Sequence, residues 1–393
     1  MPERKSTSDQ LSTPSKRCRV AVIWIDWYAY HFARFRGLQS TPALAGSVRG
    51  IELVGGVGVH EGLNFREGPS DDPAVTTLLP ECSWKDADKW SLAVRLWHHL
   101  TLLDPDLVLV PGYYTLPAIA AAVWARINHR KSVLMTESTA EDHVRSWWKE
   151  SLKGLLIRTL FDSAIVGGKA HMRYLENLGF SPEHIQHSYD VVDNHLLAER
   201  SSTVRELSAG ASKLPSRYIL FVGRLAPEKN VGGLLTEWHQ YRNAGGTWPI
   251  LIVGSGPLTD TLHASASISP FANDIYFAGH KGYKELPAFY AFASCFILPS
   301  VREPWGLVVN EAMAAGLPVI VSNRCGCAED LVHAGHNGFI FDPFTSGEAA
   351  ACLLHFESLE REQQEMMGSY SKTIVSNYSP ESFGKQVALI AAE

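Results

Sequence analysis

"YILFVGRLAPEKN", Tyr218 to Asn230, is an apolar run of strand length that ends on a glycine and opens into a loop carrying Arg224 and, five residues on, Lys229. A strand whose residues are apolar without alternation is buried on both faces, as in a parallel sheet covered by helices. The unit recurs downstream in "WPILIVGSG", "DIYFAG", "CFILPS", "PVIVSN" and "GFIFDP", each followed by a helical stretch or a turn. Upstream the same alternation is carried by "RVAVIWID", "IELVGGVGV", "LVLVPG", "SVLMTES" and "SAIVGG", with helix-like segments such as "YHFARFRGL" and "LPAIAAAVWARINH" among them. Between the two series lies the polar, Ser-rich "VVDNHLLAERSSTVRELSAGASKLPSR", which places a domain link near Asn194. The expected fold class is α/β: two doubly wound Rossmann-like domains, residues 19–194 and 195–378, facing across a cleft at the carboxyl ends of their strands. A helix over residues 379–393, with Ser379 as N-cap and Pro380 at its first position, is free to pack back on the first domain.

Composition narrows the function. The 393 residues are 46% hydrophobic and 19% charged, the balance of a soluble globular chain, and the net charge of −6 gives no general nucleic-acid footprint. The six cysteines are scattered and the close pair C-G-C lacks the two-residue spacer of zinc or redox motifs, so they read as reduced thiols of a cytoplasmic protein. The opening residues 1–18 are polar and without an apolar segment, a flexible tail, and the longest apolar stretches are half the length of a membrane span.

Three places in the second series carry chemistry. Arg224 and Lys229 share one loop at a strand end, where a planar fork of donors and a mobile point charge suit a diphosphate; taken alone they read equally as solvated surface cations. In "EPWGLVVNEAMAAGLP" a helix expected to begin near Leu307 offers the free N–H groups of Gly306, Leu307 and Val308 to an anion. Glu311, one turn in, can accept two hydrogen bonds from a vicinal diol, and Glu303, on the loop before, can meet sugar hydroxyls; the plain alternative is a carboxylate complementing the helix dipole and an exposed loop acid. The turn "GCAEDLV", with Asp330, either closes the floor of this site or is an ordinary turn. "GSGPLT" has Thr259 where a dinucleotide fingerprint needs its third glycine, and "DAD" and "DPD" read as a helix N-cap at Asp86 and a loop at Asp104, not as a metal pair.

"FVGR" with Lys229, "VGSGP", "LPS", Glu303 and Glu311 with seven residues between, "EAMAAGLPVI" and "NGFIF", in that order over residues 218–343, resemble the nucleotide-sugar domain of family-four retaining glycosyltransferases (glycosyl transferases group 1), which have the GT-B fold. The resemblance implies a metal-independent, retaining transfer of a sugar from a UDP or GDP sugar, as co-substrate and without a cofactor, to the hydroxyl of a glycan, a lipid-linked glycan or a small molecule, as in polysaccharide biosynthesis. It implies that Arg224 and Lys229 hold the diphosphate, Glu311 the ribose and Glu303 the transferred sugar. Gly223, Gly254, Gly279, Gly306, Leu307 and Val308 then line the donor. The alternative within the same architecture is a nucleotide-sugar epimerase.

By the same resemblance the first domain takes the acceptor. Many relatives have a glycine-rich loop after their first strand; here "DWYAYHFARF", Asp26 to Phe35, has no glycine, and Tyr30 and His31 are set toward the acceptor or the leaving group or, equally, into the core. "TESTAEDH" follows a strand end, and Glu137 holds the position where relatives often have a His touching the donor sugar. In "RSWWKESLKGLLIRTLF" a helix would stack Trp148, Leu152, Leu155, Leu156 and Leu160 on one face beside Arg145, Lys149 and Lys153, a pattern that suits either packing on the sheet or peripheral contact with an anionic membrane.

Overall fold

The computed structural model describes residues 18–56, 72–140, 146–207 and 215–393. The N-terminal tail, Asp142, His143 and Arg145 lie outside the described residues. The first sheet comprises β1 (Val20–Trp24), β2 (Val48–Val54), β3 (Val75–Leu79), β4 (Leu107–Pro111), β5 (Lys131–Thr136), β6 (Ser163–Val166) and β7 (Ile185–Gln186), in the order β3-β2-β1-β4-β5-β6-β7. The second comprises β8 (Ile219–Val222), β9 (Ile250–Val253), β10 (Ile275–Gly279), β11 (Cys295–Leu298), β12 (Val319–Ser322) and β13 (Gly338–Phe341), in the order β10-β9-β8-β11-β12-β13. Every pairing is parallel, as continuous apolar strands require; Phe221 faces Ile252 across β8 and β9, and Val20 faces both Val48 and Leu107.

Each domain has its own apolar core. That of the second joins Phe221, Ile252, Phe296 and Ile320 to the buried Trp238 and Phe356 of its helices. The first sheet is covered on both faces, one by the helices Lys89–Leu103 and Leu116–Ile127 and the other by the helix Ala29–Ser40. The last helix, Pro380–Ala392, is capped by Ser379, whose Oγ accepts from Ser382 N, and puts Phe383, Val387 and Ile390 into the core of the first domain. The chain therefore crosses between domains twice. Asn194 ties the crossings together: its Nδ2 donates to the carbonyls of Val375 (2.9 Å) and Tyr378 (3.0 Å).

Asp104 lies in the loop before β4, as expected, whereas Asp86 sits differently from the sequence expectation. Asp86 is held to Ser83 Oγ at 2.6 Å in a turn, and the helix starts two residues later, with Asp88 as its cap accepting from the amides of Trp90 and Ser91. Asp104 ends that helix in a left-handed conformation and, with Asp106, is clasped by Arg19 and Arg130 at the amino end of β4.

Candidate functional site

In the second sheet the strand order reverses between β8 and β11, so the loops leaving these neighbours diverge and open a crevice at their carboxyl ends. The two loops are those that carry the cations and the first glutamate. After β8 the chain passes Gly223 and the exposed Arg224 and ends in a 3-10 turn, Pro227–Lys229. Glu303 follows β11 and is pinned on both sides: its amide donates to Arg324 O (3.2 Å) and its carbonyl accepts from Gly326 N (2.9 Å). Across the crevice Lys229 Nζ pairs with the Glu303 carboxylate, which also accepts from Ser300 Oγ at 3.2 Å. Arg224 has its nearest acid, Glu228, 4.0 Å away, so its guanidinium remains open to an anion.

The helix Leu307–Ala314 begins beside this pair. Its N-cap, Gly306, has φ 106°, a backbone that L side chains rarely adopt, and a β-carbon there would lie 3.0 Å from Leu298 Cδ2. Leu307 and Val308 are half-buried in the first turn, where amides have no partner within the helix and carry its positive end. Gly223, Gly254 and Gly279 end three adjacent strands, with Gly223 N donating to Val253 O (3.0 Å) and Gly254 N to Gly279 O (2.8 Å). Gly254 has a structural duty of its own: a β-carbon on it would sit 1.9 Å from Gly223 O, so the two loops can pack only over glycine.

Glu311 is fully buried. One carboxylate oxygen accepts from Tyr30 Oη and the other from Tyr290 Oη, both at 2.7 Å. Burial pushes its carboxyl above the usual range, against the pull of the two hydroxyls. Tyr30 comes from the first domain, so this side chain lies at the junction of the two.

On the first-domain side, His31 is held by the start of its own helix. Its Nδ1 accepts from Tyr28 N (3.2 Å) and the ring stacks on Trp24 at 4.8 Å, so it secures the start of its own helix. Burial, with Arg34 close by, holds it well below the ordinary imidazole range. Glu137 follows the carboxyl end of β5 and faces Asp190, a residue of the domain crossing that the sequence did not single out. Asp190 Oδ1 accepts from Arg34 Nη2 at 3.0 Å, both side chains being buried, while Oδ2 has no donor among the described residues. Burial and the neighbouring Glu137 carboxylate push Asp190 well above the usual range despite Arg34. Its carbonyl accepts from Asn310 Nδ2 (3.2 Å), which links this wall to the donor-side helix.

Asp330 is a fastener between the domains and not the floor of the crevice: it accepts from Lys169 N (3.0 Å) and Tyr378 Oη (3.1 Å). Arg173 and Glu329 form a two-pronged pair alongside, and His171 Nε2 lies 3.0 Å from Pro304 O.

The helix Trp147–Leu160 packs through Gly154 and Ile157. Leu160 also packs against the core, while Trp147, 81% exposed, Leu152, 62% exposed, Trp148 and Leu155 face outward. Lys153 does not belong to a basic edge, because its Nζ is tied to Glu150 (2.8 Å) and Tyr174 Oη (2.7 Å). Among the described residues no helix is long and apolar enough to cross a membrane.

Two Rossmann-like domains with cations, amides and a glutamate gathered at one switch point are the GT-B architecture of glycosyltransferases. Residues 205–374, in the second domain, match the family described as glycosyl transferases group 1. It is similar to "Sulfoquinovosyl transferase SQD2" of Arabidopsis thaliana, 31% identical over 185 residues, which cover 46% of this chain and 34% of that protein. A "GDP-mannose-dependent alpha-(1-6)-phosphatidylinositol monomannoside mannosyltransferase" of Mycobacterium tuberculosis is 24% identical over 344 residues, 77% of this chain and 85% of that protein. The chain thus spans about a third of the first relative and most of the second. Among solved structures, Anabaena Alr3699/HepE in complex with UDP superposes with a TM-score of 0.69 at 18% identity, covering 95% of this chain and 99% of that one, which shows the shared fold. The epimerase alternative finds no support in these matches.

Proposed function

We propose that the chain transfers a sugar from a nucleotide diphosphate sugar to an acceptor hydroxyl with retention at the anomeric carbon. The observation that carries this reading is the Lys229 and Glu303 pair, set across the switch-point crevice beside Arg224 and the Gly306 turn. When the donor enters, Lys229 turns from Glu303 to the diphosphate, joined by Arg224 and the amides of Leu307 and Val308. Glu303 is then released to accept from the sugar's hydroxyls. The bond from the anomeric carbon to the phosphate oxygen breaks, the acceptor oxygen bonds to the same face, and the departing phosphate oxygen takes the acceptor's proton. Such a step needs preorganised positive charge at the leaving group more than an enzymic nucleophile, and these protein groups supply it without a call on a bound metal.

Support for a UDP or GDP donor comes from the UDP bound in the Anabaena protein and the GDP-mannose named for the mycobacterial one. A panel of UDP, GDP and ADP sugars, read by thermal shift, tests the reading: one of them at a hundredfold excess over its Kd contributes about 2.7 kcal/mol and raises the melting temperature by several degrees. No shift with any of them at millimolar concentration would contradict it.

A lipid-linked acceptor, met at the cytoplasmic membrane surface, is the acceptor class we favour. The exposed Trp147, Trp148, Leu152 and Leu155 beside Lys149 form an aromatic, apolar face on the first domain, and the mycobacterial relative is named for phosphatidylinositol monomannoside. Sedimentation with phosphatidylglycerol-containing vesicles should fall several-fold in the double variant Trp147→Ser, Lys149→Glu. Unchanged sedimentation would remove the membrane from the account.

A further inference from the structure

Glu311 is the carboxylate assigned above to the donor's ribose, yet it is 0% exposed and both its oxygens are already bonded. The two tyrosines that bond it differ in origin. Tyr290 belongs to the helix Leu286–Phe292 of the same domain, and its bond to Glu311 does not depend on where the other domain sits. Tyr30 is the second residue of the helix Ala29–Ser40 in the first domain, 281 positions from its partner. Its ring packs edge-on against Tyr283 at 5.8 Å, so Tyr30 and Tyr283 together cover the carboxylate. The segment that delivers it, "DWYAYH", occupies the place after β1 where many relatives in the resembled family have a glycine-rich loop. A glycine loop has no side chain to reach across the cleft; this one does.

A vicinal diol engages a carboxylate through O–H donors, and a phenol offers the same donor at the same distance. The ribose and Tyr30 therefore compete for one oxygen of Glu311. We propose that Tyr30 is a latch: its hydroxyl stands in for a ribose hydroxyl while the donor is absent, holds the two domains together at Glu311, and must be displaced for the donor to bind. The inference rests on the reading of Glu311 as the ribose carboxylate. It explains how a buried acid stays paired in the free protein, where losing a partner would leave a desolvated charge. It also gives the spent nucleotide a route out, since the returning tyrosine takes over its bond.

Calorimetric titration of UDP and GDP into the wild type, Tyr30→Phe and Glu311→Gln tests the latch. Tyr30→Phe removes the competitor and should bind the favoured nucleotide about tenfold more tightly, the scale of one hydrogen bond to a charged group. Glu311→Gln should bind it more weakly. If Tyr30→Phe gains no affinity for either nucleotide while Glu311→Gln loses it, the latch is wrong and the ribose reading stands. Should Glu311→Gln bind as the wild type does, the ribose reading itself fails and the latch with it. Hydrogen exchange on the unaltered protein gives an answer that does not depend on how a variant folds. Saturating nucleotide should speed exchange of the amides at residues 28–34, whereas slower exchange means the segment closes onto the nucleotide and overturns the proposal.

Discussion

Lys229→Ala is expected to lower kcat by about 10²–10³ and to leave the melting temperature within a degree or two of the wild type, the loss seen when one oxyanion donor is removed from a preorganised site. The lysine reaches into the crevice from the end of a 3-10 turn, and the turn is held by its own amide donating to Ala226 O, which the substitution keeps. Glu303 retains Ser300 as a donor, so the loop after β11 keeps its pinning. The deficit should fall on turnover more than on KM, because the lysine's charge matters most when negative charge collects on the departing phosphate. Sugar-transfer kinetics with the donor found by thermal shift measure both parameters. Near-normal kcat would separate Lys229 from the chemistry.

Asp190→Ala has the largest expected effect on folding. Arg34 is 1% exposed and its guanidinium, stacked 4.0 Å over the Tyr189 ring, has Asp190 as its ion-pair partner. Removing the carboxylate strands a buried cation, which costs about 3–5 kcal/mol when one member of such a pair is deleted. Urea unfolding followed by tryptophan fluorescence should show the midpoint displaced accordingly. The combined change Arg34→Met, Asp190→Leu should recover most of the loss, since it takes both charges away together. Glu137→Gln should act in the opposite sense to Asp190→Ala and stabilise slightly at neutral pH, because it removes the negative charge that faces Asp190. A midpoint unchanged by Asp190→Ala would mean that water reaches the pair and that the wall of the cleft is looser than described.

The second domain was legible strand by strand, because each of its six strands is an unbroken apolar run closed by a glycine, proline or polar turn. Two strands of the first domain were not. β3, "VTTLL", is half-exposed at the sheet edge and carries no buried-strand pattern, and β7 is two residues long. Asp86 reads as a cap in sequence, but a serine turn holds it, and the cap is Asp88, two residues on.

The residues of the crevice stood out because the chemistry is local there: cations and amides at strand ends read directly from the chain. The junction with the first domain did not. Arg34 lies in a helix-like segment and Asp190 just before the polar link, and only folding brings them together across 156 positions. Tyr30 and Glu311 each read in sequence as facing a ligand, one the acceptor and one the ribose, and in the structure they bond to each other. Lys153 shows the same limit on a smaller scale, its charge turned inward to Tyr174 although helical spacing set it on a basic edge.

We infer that this cleft moves a sugar off a nucleotide diphosphate. Proton and phosphorus NMR of the protein incubated with the donor that stabilises it, water being the only acceptor, puts that inference to the test. Slow release of the nucleoside diphosphate with an equal amount of free sugar is the predicted result. A donor returned intact, or converted to a different nucleotide sugar, would contradict it.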